Sequence, residues 1–300
     1  MSISNYGELK TALANILKRD DLTSRIPEFI EMMEDRVNRT LRVRAMEASV
    51  TLNITGVTLV GTVGGTANAI TLTPDDAATA YTDGDRYQFE ATLTNTAATT
   101  VDVSGLGTQD IKKRENGTVQ DLEAGDILKA NSSSHTHTIL YDGTQFLLIL
   151  PGAVLLPSRY VGKRRFYLDG DEKKMDWFPS STFWTRQATN DTSRPKIWTV
   201  EGDYIIVAPV PSSLTPGRFL YYRGFAAMSA DADTNWTFSN ARAIPLYGSL
   251  IEASPFIGND NRTLVWATLF DQAMEDVHEA DRLERIPVGP IEARSEVFGP

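Results

Sequence analysis

The chain has 300 residues, a formal net charge of −10 and no cysteine. A chain of this length can bury a sizeable core, and its 41 % apolar and 23 % charged residues are typical of a folded globular protein. The lack of cysteine excludes a disulfide framework, a thiolate metal site and a thiol nucleophile. The acidic balance argues against a protein whose main task is to hold nucleic acid by neutralising phosphates.

The sequence shows no basic leader followed by an apolar run. No stretch approaches the roughly 18 apolar residues of a membrane span. We therefore expect a protein without membrane contact, made in a reducing cytoplasm and used there or in a virion.

A first helix is predicted at the start of the chain. Asn5 followed by Glu8 is a capping-box arrangement, and the apolar spacing after it predicts a helix that ends near Arg19. The apolar face of this helix contains Tyr6, Leu9, Leu13, Ile16 and Leu17.

A second helix is predicted to begin at a Thr23-Ser24 cap, to accept Pro27 in its first turn and to run to about Arg44. Its apolar stripe consists of Ile26, Phe29, Ile30, Met33, Val37 and Leu41. Its opposite face carries Arg36, Arg39 and Arg42 late in the helix, where the helix dipole favours positive charge.

From residue 49 the apolar pattern changes to a period of two, which predicts a strand. Short apolar runs separated by turn signals then continue to residue 150, and this spacing is typical of a small antiparallel β-sandwich or barrel. Residues 53–150 contain 12 acidic and 5 basic residues, which makes the net charge of this segment −7. Pattern and charge together predict an inserted β-domain over residues 56–150.

After residue 151 the sequence predicts several strands, with turns at 169–171 and 201–203. Two helices should follow, one from Ser239 or Asn240 until Pro255 ends it, and one from Asn261 to about Leu283. We therefore predict an α+β fold in which residues 1–55 and 151–284 form a core of helix pairs and antiparallel strands. Residues 285–300 are predicted to be an extended tail.

Candidate chemical sites in the sequence are weak. His135 and His137 would share one face of a strand, as metal ligands could, but no third ligand is evident nearby. The acidic residues at 169–171 are adjacent residues of a turn and lack the fixed separation that acid–base catalysis needs. Neither a G-x-S-x-G elbow nor a complete phosphate loop is present. We expect no catalytic, cofactor-binding or metal-binding residues and no enzyme activity.

A basic run interrupts the acidic chain. It consists of Arg159, Lys163, Arg164 and Arg165 and includes Tyr160 and Phe166. Such a run could face a phosphate backbone or pair with acidic residues of a neighbouring subunit, and we favour the second interpretation. The many aromatic residues after residue 176 could form a sugar or base platform, but core packing is the better interpretation for most of them.

Five segments outside residues 56–150 resemble the head-to-tail adaptor (connector) family of short-tailed phages. In chain order they are SNYGELKTALANILKRDDLTSRIPEFIEMMEDRVNRTLRVRAME, LLPSRYVGKRRFYLDGD, RPKIWTVEGDYIIVAPVP, LYYRGFAAMSADADTNWTFSNARAIPLYGSLIEASPFIGNDNR and WATLFDQAMEDVHEADR. The order of elements is also similar to that of the tail tubular A or gatekeeper proteins of such phages.

The resemblance implies a structural virion protein that forms a ring, usually of twelve copies, between the portal and the tail nozzle or tube. DNA would pass through the channel of the ring without specific binding. Candidate contacts with neighbouring subunits or the portal are the basic residues named above together with the apolar tail residues Ile286, Val288, Ile291, Val297 and Phe298. A carbohydrate-binding or receptor-binding tail protein and a virion-associated cell-wall hydrolase are the alternatives.

Overall fold

The computed structural model describes residues 3–54, 58–130, 136–170, 174–187, 194–211, 213–258 and 261–285. It contains 33 % helix and 32 % strand, with the strands in mixed sheets, and this confirms the α+β class. Contacts divide the chain into two compact units. The helical unit comprises residues 3–48, 159–163 and 221–285, and the β unit comprises residues 49–158 and 164–220. The boundary predicted for an inserted domain at residues 56–150 stays a prediction.

Among the described residues the helices are α1 (Tyr6–Leu17), α2 (Ile26–Thr40), α3 (Ser180–Arg186), α4 (Trp236–Asn240), α5 (Ala243–Ile257) and α6 (Arg262–Glu284). The strands are β1 (Glu47–Ile54), β2 (Thr58–Leu59), β3 (Thr62–Thr66), β4 (Ala69–Thr73), β5 (Arg86–Glu90), β6 (Thr99–Val103), β7 (Gln109–Glu115), β8 (Thr118–Asp121), β9 (Thr136–Tyr141), β10 (Phe146–Ile149), β11 (Ala153–Leu155), β12 (Tyr160–Leu168), β13 (Asp176–Trp177), β14 (Ile197–Glu201), β15 (Tyr204–Ala208) and β16 (Thr215–Arg223).

The predicted cap of α1 is confirmed. The side chain of Asn5 accepts a hydrogen bond from the Glu8 backbone N–H at 2.9 Å, and the Glu8 carboxylate accepts one from the Ser4 N–H at 2.7 Å. The two bonds satisfy backbone donors that have no partner within the helix.

The predicted cap of α2 is wrong. A 3-10 turn over Asp20–Arg25 precedes the helix, so α2 begins at Ile26 with Pro27 in its first turn. It ends at Thr40, short of the predicted end, because Leu41 adopts an extended backbone conformation and is completely buried. All six residues of the predicted apolar stripe are buried.

The predictions for α5 are wrong at both ends. The chain forms the short helix α4 first, which Asn235 caps by accepting a hydrogen bond from the Thr237 N–H at 3.0 Å. Pro255 then lies inside α5 and does not end it. Proline leaves the carbonyl four residues earlier without its donor. The Ser254 hydroxyl donates to that carbonyl, on Ile251, at 2.7 Å, and the helix continues for two more residues.

The core of the helical unit lies where α5 packs against α2 and α6. Gly248 of α5 marks the closest approach, because a Cβ atom at this position would lie 2.5 Å from Cγ of Met33 and 3.0 Å from Cε2 of Phe270. Any larger residue would force these three helices apart or shift those side chains.

The strands form three sheets. The largest has nine strands, in the order β2-β5-β9-β10-β7-β6-β4-β3, with β8 paired to β7. A second sheet has the order β11-β15-β14-β13, and a third has the order β1-β16-β12.

Pairing in the nine-stranded sheet departs from the purely antiparallel prediction. The pairs β2–β5, β4–β6 and β7–β10 are parallel. Each of these pairs joins strands that are not consecutive in the chain, because two parallel strands must be joined by a longer crossover connection. Turn residues between consecutive strands indicate only hairpins, so they could not predict these pairs.

The nine-stranded sheet buries both of its faces at its centre. One face carries Phe89, Ile139 and Phe146 within one apolar cluster, and the other carries Leu140, Leu147 and Ile149. The second face packs against Ile206 and Ala208 of the four-stranded sheet and against Phe183 of α3.

Candidate assembly surfaces

The last helix of the helical unit exposes much of its surface. Helix α6 has 23 residues, about 34 Å of length, and only Trp266 and Phe270 are fully buried. Near its start Leu264 is 77 % exposed and Val265 is 56 % exposed, and Leu283 is exposed near its end. Large apolar side chains on an outer helix face are typical of a surface that meets another protein.

The end of α6 is fixed to the segment that follows α2. The Asp281 carboxylate accepts a hydrogen bond from the Arg44 N–H at 2.5 Å. Arg285 lies 2.6 Å from the same carboxylate and 2.9 Å from the Glu47 carboxylate. Burial raises the pKa of Asp281, but its hydrogen bonds to Arg44 and Arg285 and the charges of these residues outweigh burial, so the net pKa is lowered. The chain therefore leaves α6 from a defined position.

A pocket of about 540 Å³ lies beside the same end of α6. Its lining includes the apolar residues Val43, Trp236 and Val277, and it also includes Glu284, which forms an ion pair with Arg44 of the same lining. Trp236 is held by stacking on Phe225, with ring centroids 5.7 Å apart and an interplanar angle of 3°. The pocket can receive an apolar side chain from another segment.

The three arginines predicted as interface candidates on α2 have different environments. Arg36 forms a 2.5 Å ion pair with Glu252 of α5, so the charge of Arg36 is already paired within the subunit. Arg42 donates to the carbonyls of Asn38 at 2.8 Å and Leu41 at 2.5 Å, so it caps the end of α2. Arg39 is exposed and is the candidate best placed to meet a neighbour.

The predicted basic run lies on β12 and the turn before it. Arg159 is exposed and has a left-handed backbone (φ 58°), and its carbonyl accepts a hydrogen bond from the Gly224 N–H at 2.8 Å. Lys163 and Arg165 alternate with Arg164 along the strand, so the first two share an exposed face and Arg164 is half-buried. Arg165 also donates to the Tyr167 hydroxyl at 3.1 Å. The apolar tail candidates Ile286, Val288, Ile291, Val297 and Phe298 lie outside the described residues.

Glu34 was not predicted as a site residue. It lies on α2, one of its carboxylate oxygens is buried without a hydrogen-bond partner, and the other accepts from the Met228 N–H at 3.4 Å. Burial, with smaller contributions from the nearby acids Asp35, Glu31 and Asp233, raises the pKa of Glu34 to about 7. The sequence could not predict this burial, because Glu34 lies on the polar face of the predicted helix and is covered by a loop that comes much later in the chain.

Among the described residues, the other sequence candidates do not assemble into a reaction centre. His135 lies outside the described residues, and a ring nitrogen of His137 lies 2.9 Å from the Leu128 carbonyl oxygen. Within the described ranges no group of three or more histidine, aspartate or glutamate side chains could hold a metal ion. Most of the aromatic set is at least partly buried, as predicted, while Trp177 and Trp184 are exposed.

A search for helices that could cross a membrane, restricted to the part of the chain that the structure describes, finds none of sufficient length and apolar character.

A mixed α+β chain with an exposed helix α6, the end of which is held by Arg44 and Glu47, has the features of a structural protein that assembles with others. Comparison with family models gives the particular class: the model described as SU10 adaptor protein matches residues 4–149 and 135–293. The chain therefore belongs to the SU10 adaptor protein family and is a structural phage adaptor of the virion neck, which interacts with other head or tail proteins. A comparison with curated proteins finds no match.

Proposed function

We propose that this adaptor forms a ring, of twelve copies, between the portal and the tail nozzle or tube. The observation that carries the proposal is the family match over both the N-terminal and the C-terminal parts of the chain. The long exposed face of α6, with Leu264 and Val265, supplies apolar surface for contacts between subunits.

In this ring the DNA channel continues from the portal toward the tail and serves genome retention and ejection. The formal net charge of −10 supports a channel that repels phosphates, because an acidic wall lets DNA slide without specific binding. The ring has no enzymatic step in this proposal, and its partners are the portal, the tail nozzle, tube or fibre proteins and further copies of the chain.

Native mass spectrometry of the purified chain, alone and mixed with its portal, tests the ring. We expect one discrete high-order species of about twelve copies when the portal is present. A chain that is still monomeric or trimeric with the portal would refute the proposal, whereas a monomer in the absence of the portal is compatible with it.

The basic run contributes to the contacts between subunits in the same proposal. Lys163 and Arg165 share an exposed strand face and would meet acidic residues of a neighbouring copy. Exchange of Lys163, Arg164 and Arg165 for glutamate is expected to weaken ring formation several-fold in the same assay, more so at low salt. If the exchanged chain assembles normally and only DNA passage changes, the run faces phosphate instead.

A further inference from the structure

The layer between the nine-stranded and four-stranded sheets contains an arginine for which the described residues supply no counter-charge. Arg86 is the first residue of β5 and is only 5 % exposed. Two of its guanidinium nitrogens, Nε and Nη1, are buried and have no hydrogen-bond partner among the described residues. A buried cation without a partner is costly, so such a group normally has a counter-ion.

The strand register shows which way Arg86 faces. Its Cα partner on β9 is Leu140, whereas Tyr87 pairs with Ile139. Leu140 belongs to the apolar cluster that packs on the four-stranded sheet, and Tyr87 and Ile139 belong to the cluster on the opposite face. Residues opposite each other on neighbouring strands share a face, so the guanidinium enters the layer between the two sheets.

Further buried hydrogen-bonding groups lie on the walls of this layer. Thr138 is two residues before Leu140 on β9, is 1 % exposed, and its hydroxyl has no partner in the described chain. On the facing sheet Thr199 pairs with Ile206, and its hydroxyl is likewise buried without a partner. Hydroxyls can donate to an anion as readily as to water. Burial lowers the pKa of Arg86 to about 10, which leaves the guanidinium charged at neutral pH.

We propose that Arg86 binds a small monovalent inorganic anion inside the β unit, with the Thr138 hydroxyl on the adjoining strand as a further donor. We choose an anion of chloride size, because the layer between the two sheets is formed by buried apolar side chains such as Leu140, Leu147 and Ile206. Its role is structural, since it neutralises a buried charge within the layer that joins the two sheets. The proposal is independent of ring formation.

The test is a thermal unfolding series in sodium chloride and in sodium gluconate at equal ionic strength, because gluconate is too large for the site. We expect chloride to raise the melting temperature of the native chain by about 3–6 °C when it exceeds its Kd about tenfold. Arg86→Met, which keeps an unbranched apolar stem and removes the charged guanidinium, should lose this dependence and be at least as stable as the native chain in gluconate.

Arg86→Lys serves as the control, because it keeps the charge and should keep part of the chloride effect. Crystals soaked in bromide should show an anomalous scattering peak beside the guanidinium, and this readout does not depend on the folding of any variant. Equal melting temperatures of the native chain in the two salts would overturn the proposal and would leave ordered water as the partner of Arg86. A chloride effect that persists in Arg86→Met, or a site without bromide, would overturn it as well.

Discussion

Removal of residues 286–300 is expected to lower the yield of portal-bound rings about tenfold or more, and to leave the unfolding temperature of the subunit unchanged. The tail offers Ile286, Val288, Ile291, Val297 and Phe298 in a segment with little core of its own. Burial of two or three such side chains on a partner contributes several kcal/mol before the ordering cost, and about 1.4 kcal/mol is enough for a tenfold change. Native mass spectrometry with the portal gives the yield.

The deletion must begin after Arg285 if its effect is to be assigned to the tail alone. Arg285 is paired with Asp281 and Glu47, so a deletion that includes it would also loosen the end of α6. The cut should therefore follow Arg285. A full-length control in which the five apolar tail residues are replaced by serine separates the loss of apolar contact from the loss of length. Normal ring yield in both variants would refute a docking role, and a lowered unfolding temperature would assign the tail to the subunit fold.

The apolar stripe of α2 and the cap of α1 were predictable because both depend on residues three and four apart. The end of α5 was not, because proline normally ends a helix and the Ser254 hydroxyl that replaces the missing hydrogen bond is recognised only in the folded chain. The parallel strand pairs were not predictable for a related reason, since turn residues specify hairpins and say nothing about strands that meet across a longer connection.

The candidate surfaces divide in the same way. Arg36, Arg39 and Arg42 are equivalent in a helical pattern. In the structure, however, Arg36 forms an ion pair with Glu252, and Arg42 donates to a carbonyl at the end of α2. The i,i+4 spacing of Asp281 and Arg285 could have indicated an ion pair, but not that Arg44 and Glu47 would join it. Long-range contacts of this kind depend on tertiary packing, which a one-dimensional pattern does not contain.

The native chain is expected to lose stability as the pH rises from about 5 to 8, and Glu34→Gln is expected to abolish this loss. The folded-state pKa of Glu34 is about 7, against an ordinary value of 4.5, so the folded chain holds this proton more tightly than the unfolded chain does. The contribution of Glu34 to stability is therefore greatest below pH 4.5, is lost as the pH rises through about 7 and changes little above about pH 8. Because the carboxyl is partly open to solvent, we expect a loss of about 1–2 kcal/mol, less than the full shift would give.

Chemical denaturation of both chains at several pH values between 4 and 8 measures this difference as a slope. The dependence of stability on pH is the appropriate readout. The direct effect of replacing the carboxyl by an amide on stability is the same at every pH, so it does not change this slope. The acids Asp35, Glu31 and Asp233 also act on the pKa of Glu34, so the matched control is Glu28→Gln, an exposed residue of the same helix that is not one of them. Identical pH slopes for the native chain and Glu34→Gln would show that the buried oxygen is hydrated and that Glu34 imposes no cost at neutral pH. A flatter slope for Glu34→Gln alone would locate the pH-sensitive contact of the helical unit where α2 packs against the loop at Met228.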